Sequence, residues 1–186
     1  MGYLEWLLLT LVLLGLFIWA LSSAARSLDR LHKRIIATKI VLQAELVRKA
    51  SVAAELANSG LLDPATSLVL AEVARAQVAA DPDPVNRTAE ESTLSGALRA
   101  ALGDEDDVVE LTKTELGQTL VNELADVWYR AVLARRFHND AVSQCLRVRS
   151  RRSVRWFHLA GYMEMPRTVE FDDAWPGALT QPGELK

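Results

Sequence analysis

The sequence predicts an all-α protein: an antiparallel bundle of four helices whose first helix is continuous with an N-terminal transmembrane anchor. Three observations predict it. Between Trp6 and Ala25 the chain is apolar and uncharged. Half of the 186 residues are hydrophobic, yet only 6% are aromatic and the chain has only 9 Gly and 6 Pro, a usage that suits helices better than sheets. Beyond the apolar run, leucines, valines and alanines recur at the 3–4 spacing of amphipathic helices, and Asp-Pro and Gly positions punctuate them.

The apolar run has the length of about 20 residues that a spanning helix needs. Only Thr10, Ser22 and Ser23 in it are polar. Its eleven Leu, Ile, Val and Phe residues between Leu7 and Leu21 each favour insertion by about 0.3–0.6 kcal/mol, so insertion is expected to win by several kcal/mol. Trp6 and Trp19 are placed for opposite interfaces. Arg26, Arg30, Lys33 and Arg34 follow the run against Asp29 alone, whereas the preceding residues carry Glu5 and no Lys or Arg. The positive-inside rule therefore expects residues 1–5 outside the cell, an anchor over 6–25 and a cytoplasmic domain after it. The alternative is a signal peptide cleaved after Ser23-Ala24-Ala25, and it lacks a basic leading region.

From Leu28 the first helix continues to Asn58, with Leu28, Leu31, Ile35, Leu42, Leu46, Val52, Ala53 and Leu56 facing a core and Arg30, Lys33, Arg34, Lys39, Arg48 and Lys49 on the opposite side. Gly60 is the expected terminator. Asp63 as N-cap and Pro64 at the first helical position open a second helix to about Ala80, with Leu68, Leu70, Val73 and Val78 available for burial. Asp81-Pro82-Asp83-Pro84 stops it. Thr88-Ala89-Glu90-Glu91 has the spacing of a capping box before a third helix that ends at Gly103. After an acidic loop, Asp104–Asp107, a fourth helix is expected from about Val109 to Val148. Its stripe is Leu116, Leu120, Leu124, Val127, Ala131, Ala134, His138, Ala141 and Cys145. The bundle is expected over 26–165, and residues 166–186 are expected to form a flexible tail.

A net charge of −3 gives no basic field for nucleic acid, and no nucleic-acid partner is expected. One cysteine and three scattered histidines offer no metal set, and no Gly-rich phosphate loop or paired-carboxylate motif occurs, so neither a metal, a cofactor nor a catalytic residue is expected. His138 reads as a core histidine and Cys145 as a buried thiol. Their Cα atoms stand about 10 Å apart on one helix, too far for a nucleophilic pair. Arg135, Arg136 and Asn139 sit beside the core stripe of the last helix. They are either a solvated helix edge or part of a polar network in which Glu45 of the first helix pairs with one of the arginines. Arg147, Arg149, Arg151, Arg152 and Arg155 with Trp156 form a dense basic cluster containing no acid. In an up-and-down bundle this cluster ends near the membrane, where it suits anionic lipid; a solvated tail and an RNA-binding run are the alternatives.

Ala134-Arg135-Arg136-Phe137-His138-Asn139-Asp140-Ala141-Val142 resembles the last-helix signature of the LemA family, Ala-Arg-Arg-x-Tyr-Asn-x-x-Val. Leu46-Val47-Arg48-Lys49-Ala50 is similar to the family's first-helix stretch, Leu94-Ser95 with Leu98 to its third-helix Leu-Ser motif, and Ala160-Gly161-Tyr162 with Phe171 to its C-terminal residues. The chain departs from the pattern at His138, which replaces the family's tyrosine. It departs also at Cys145-Leu146, in place of a Tyr-Asn pair, and at Ala53-Ala54, where the family's first-helix proline is absent. The resemblance implies a helical bundle on one N-terminal anchor in a bacterial cell membrane, with an extracytoplasmic N-terminus and a cytoplasmic domain, and it implies no reaction. The expected function is a non-enzymatic scaffold or accessory that binds an unidentified protein partner in a membrane-associated assembly. An enzyme with a site in the bundle and an envelope protein outside the cell are the alternatives.

Overall fold

The computed structural model describes residues 2–151, 154, 156 and 164–180, the side chain of Glu5 excepted. The protein is all-helical: α1 (Tyr3–Asn58), α2 (Pro64–Ala79), α3 (Thr88–Ala101), α4 (Glu105–Thr112) and α5 (Glu115–Arg149), with no strand among the described residues. The chain divides into two compact units. One comprises Met1–Ala37 and Asp140–Arg167, the other Thr38–Asn139 and Thr168–Lys186.

α1 is one uninterrupted helix, as the lack of any turn signal predicts. In the first unit its apolar run is exposed from Trp6 to Ala20, and it is one helix long and apolar enough to cross a membrane by length and composition. Further along the same unit, Ile35 is buried with Ala141, Val142 and Cys145 of α5, and Leu31 and Leu146 pack against them. Arg34 donates to Gln144 at 3.2 Å beside Asp140.

The second unit holds the larger core. Ala50, Ala53 and Leu56 of α1, Leu70 and Ala74 of α2, Leu94 and Leu98 of α3, and Leu120, Leu124 and Trp128 of α5 form one cluster. A second cluster joins Leu42 and Leu46 to Ala131, Ala134, Val169 and Phe171.

Local chemistry explains the helix ends, including where they depart from expectation. Asp63 caps α2 as predicted, its carboxylate accepting from Ala65 and Thr66 amides. Gly60 holds φ at 73°, where a side chain would be strained. The expected acidic loop is instead helix α4: Asp104 caps it, and Glu105, Asp106 and Asp107 occupy its first turn, where the helix dipole favours negative charge. The expected long fourth helix is correspondingly broken before α5. Thr114 Oγ1 accepts from the Gly117 amide at 3.0 Å, and its carbonyl accepts from Gln118. Thr88 does not cap α3; Arg87 holds that position without a side-chain cap.

Burial corrects the sequence reading at several positions. Gln77 joins Leu70 and Ala74 on the inner face of α2, while Leu68 and Val78 are exposed and line an open groove with Ala54 and Ala71. On α5 the predicted stripe is buried from Leu120 through Cys145, with Leu116 left exposed. The expected flexible tail is packed over its described part. Val169, Phe171 and Leu179 are buried in the second unit, because each finds an apolar site between helices.

Candidate functional site

The centre of the second unit is ionic. Lys49, read from sequence as a surface cation, is 1% exposed, and Glu91, read as part of a capping box, is 0% exposed. The Lys49 Nζ donates to Glu91 Oε1 at 2.7 Å and to Ser95 Oγ at 2.8 Å, and it stands 3.7 Å from the centre of the Trp128 ring. Gln77 donates to the other carboxylate oxygen of Glu91, and Arg87 donates to the Gln77 carbonyl at 2.7 Å. α1, α2, α3 and α5 thus each contribute to one connected group.

Helical periodicity explains why these residues point inward. Lys49 lies seven residues from both Leu42 and Leu56, Glu91 seven from Leu98, and Gln77 seven from Leu70. Each occupies a core position of its helix. Burial holds the Lys49 ammonium below the usual lysine range, against the opposing attraction of Glu91. A carboxylate, a hydroxyl and an aromatic face replace the water that the ammonium loses, which is what a buried cation requires. The group also ties α1 directly to α3, since Lys49 and Ser95 hydrogen-bond to each other.

The predicted pairing of Glu45 with Arg135 or Arg136 is not formed, and Arg135 and Asn139 meet the C-terminal segment instead. Glu45 meets Arg130 at 3.3 Å, not Arg135 or Arg136, because Arg130 lies nearer its level on α5. Arg135 grips Glu170 at 3.0 Å and also Asp173, and its guanidinium lies 5.3 Å from the Phe171 ring centre. Asn139 donates to the Val169 carbonyl and accepts from the Val169 amide, both at 2.9 Å. Arg136 stands outside the network. It is exposed and lines a cleft of about 360 Å³ with Tyr129, Leu133, Asp173 and Trp175. Trp175 packs edge-on against Trp128, centroids 6.1 Å apart, and so adjoins the buried ionic group.

The acids that Arg135 meets lie some 35 residues away in what reads from sequence as a tail. The available signal was the alternation in Val169-Glu170-Phe171-Asp172, which fits an extended segment with one buried edge.

His138 is buried, with Nδ1 3.3 Å from the Thr38 hydroxyl. Cys145 is buried in the first unit, and burial pushes its thiol up. In that unit Arg147, Arg151 and Trp156 are exposed, and Arg149 donates to the Glu164 carbonyl at 3.1 Å. Arg152 and Arg155 of the predicted basic cluster lie outside the described residues. Among the described residues no group of three His, Cys, Asp or Glu side chains is placed to hold a metal.

No protein-family model matches the sequence, and neither a curated protein nor a solved structure matches the chain.

Proposed function

We propose that this chain is a single-pass membrane protein whose helical domain, of LemA type, works by binding, as a scaffold or accessory of a membrane-associated assembly. The observation that carries the proposal is the N-terminal part of α1. Fourteen large apolar side chains between Tyr3 and Trp19 are exposed, a surface whose burial in lipid is strongly favourable and whose exposure to water is not. In this reading residues 6–25 span the bilayer of a bacterial cell, the N-terminus is outside, and the domain is cytoplasmic, on the strength of the basic residues Arg26, Arg30, Lys33 and Arg34 after the span.

The domain is read as an antiparallel four-helix bundle with the short α4 as an elaboration. The pairings of α1 with α5 support this: Arg48 with Glu123, Glu45 with Arg130 and Thr38 with His138, in opposite chain directions. In the first unit Arg34 pairs with Gln144. Continued in that sense, α5 brings Arg147, Arg149 and Arg151 toward the stretch of α1 next to the span, a position suited to anionic headgroups at about 1 kcal/mol per arginine.

Alkaline carbonate washing of membranes tests the anchor. The full chain is expected to stay in the membrane pellet, and a chain lacking residues 6–25 is expected to wash off. Release of the full chain would end the proposal. Flotation of the anchorless chain with anionic liposomes at low salt, weakened by Arg147→Gln, Arg149→Gln and Arg151→Gln together, is the result expected for the lipid patch.

A further inference from the structure

Residues Val169–Ala174 form a segment without regular secondary structure, yet nearly every part of it is read by a side chain. Asn139 makes with Val169 the pair of hydrogen bonds that a neighbouring strand would make. Val169 is fully buried and Phe171 nearly so, while Glu170 and Asp172 between them face outward, the alternation of a strand with one buried edge. Arg135 takes Glu170 and Asp173, and Arg99 takes Asp172 and donates to the Ala174 carbonyl at 3.3 Å. Ser92 Oγ accepts from the Asp172 amide at 3.1 Å.

This is the arrangement by which proteins bind extended peptides. Main-chain hydrogen bonds hold the backbone, alternate pockets read side chains, and cations select acidic positions. A segment that served only as core would need neither the backbone clamp nor two separate arginines for its exposed acids.

We propose that the surface formed by Ser92, Arg99, Arg135 and Asn139 is a docking site for an extended segment of a partner protein with the pattern aliphatic–acidic–aromatic–acidic–acidic. Val169–Asp173 is its resident ligand in cis. The partner is recognised by displacing that segment. Tethering gives the resident segment an effective concentration in the millimolar range, so the partner must present its segment at high local density, as a neighbour in the same membrane does.

The test uses the full chain in single-chain nanodiscs, with a protease recognition sequence inserted between Met165 and Pro166. Cutting leaves residues 166–186 held without a covalent link. A fluorescent peptide of residues 166–180 is then added, and its anisotropy is followed. The cut chain is expected to take up the peptide, the uncut chain to take it up at least about ten-fold more weakly because of the tether, and Asn139→Ala in the cut chain to weaken uptake by about ten-fold or more. A peptide carrying Glu170→Lys and Asp173→Lys is expected to fail.

Equal uptake by cut and uncut chains, or no uptake by a cut chain of unchanged helicity, would overturn the proposal. Loss of helicity on cutting would overturn it too, since the segment would then be core and not ligand. In nanodiscs holding two chains, reciprocal exchange of segments would make the occupant a second copy and overturn the assignment to a foreign partner. None of these results depends on the direction in which the chain crosses the membrane, and the anchor itself fails separately, by release of the full chain in alkaline carbonate.

Discussion

A lysine and a glutamate sealed among leucines each lose several kcal/mol of hydration, and their attraction offsets that loss only while both remain. Removing the Glu91 charge by Glu91→Leu strands the Lys49 ammonium and is expected to cost about 3–5 kcal/mol. Lys49→Met combined with Glu91→Leu is expected to recover most of that loss. Urea titration followed by circular dichroism, with the chain in detergent, measures both; an additive double mutant would contradict the pairing. pH gives an independent reading. Because burial lowers the Lys49 pKa from 10.5, the unfolded chain holds more protons than the folded one between the lowered value and 10.5. The stability of the wild type relative to Lys49→Met is therefore expected to rise with pH through that window. The pair was present in the sequence as two opposite charges on apolar stripes, Lys49 among Leu42, Leu46 and Leu56, and Glu91 below Leu94 and Leu98. It stayed hidden because Arg48-Lys49 and Glu90-Glu91 are each ordinary surface doublets, and periodicity alone does not say which member of a doublet turns inward. The sequence did offer Arg135 and Asn139 as a polar group. Their partners were unreadable because Glu45, an acid on the facing helix, is a closer candidate than acids in a supposed tail.

At the scale of elements, strong local chemistry was legible and competition between neighbours was not. Asp63-Pro64 opens α2 where expected, since the cap and the proline act within one turn. The break between α4 and α5 was missed because Thr112-Lys113-Thr114 carries no proline, and the hydrophobic spacing continues through it. What enforces the break is close approach. A Cβ on Gly117 would stand 1.9 Å from the Leu111 carbonyl oxygen, so the last turn of α4 and the first of α5 can meet only at glycine. Gly117→Ala is therefore expected to destabilise the domain by about 1–3 kcal/mol, although alanine is the better helix former. A Gly96→Ala control, at a helical glycine with open space around it, is expected to be neutral or stabilising by up to about 1 kcal/mol. Thermal unfolding of the two variants side by side checks the contrast. Equal effects would show that propensity and not packing decides at position 117.

For the whole molecule, the all-helical class and the uninterrupted passage from apolar run to amphipathic helix were both legible, since composition and periodicity act along the chain without reference to distant residues. The packing of residues 169–179 was not, because it depends on sites that exist only once the helices are together. The central claim is that the apolar part of α1 fixes the protein in a membrane with its domain inside the cell. The native cysteine is buried, and burial also pushes its thiol toward the unreactive protonated form, so it supplies little background for labelling the folded protein. Single cysteines can therefore be placed at exposed positions on either side of the span, Gly2→Cys before it and Gln118→Cys in the domain, and probed with a membrane-impermeant maleimide in intact and lysed cells. Gly2→Cys is expected to be labelled in intact cells and Gln118→Cys only after lysis; labelling of Gln118→Cys from outside intact cells would contradict the cytoplasmic placement of the domain.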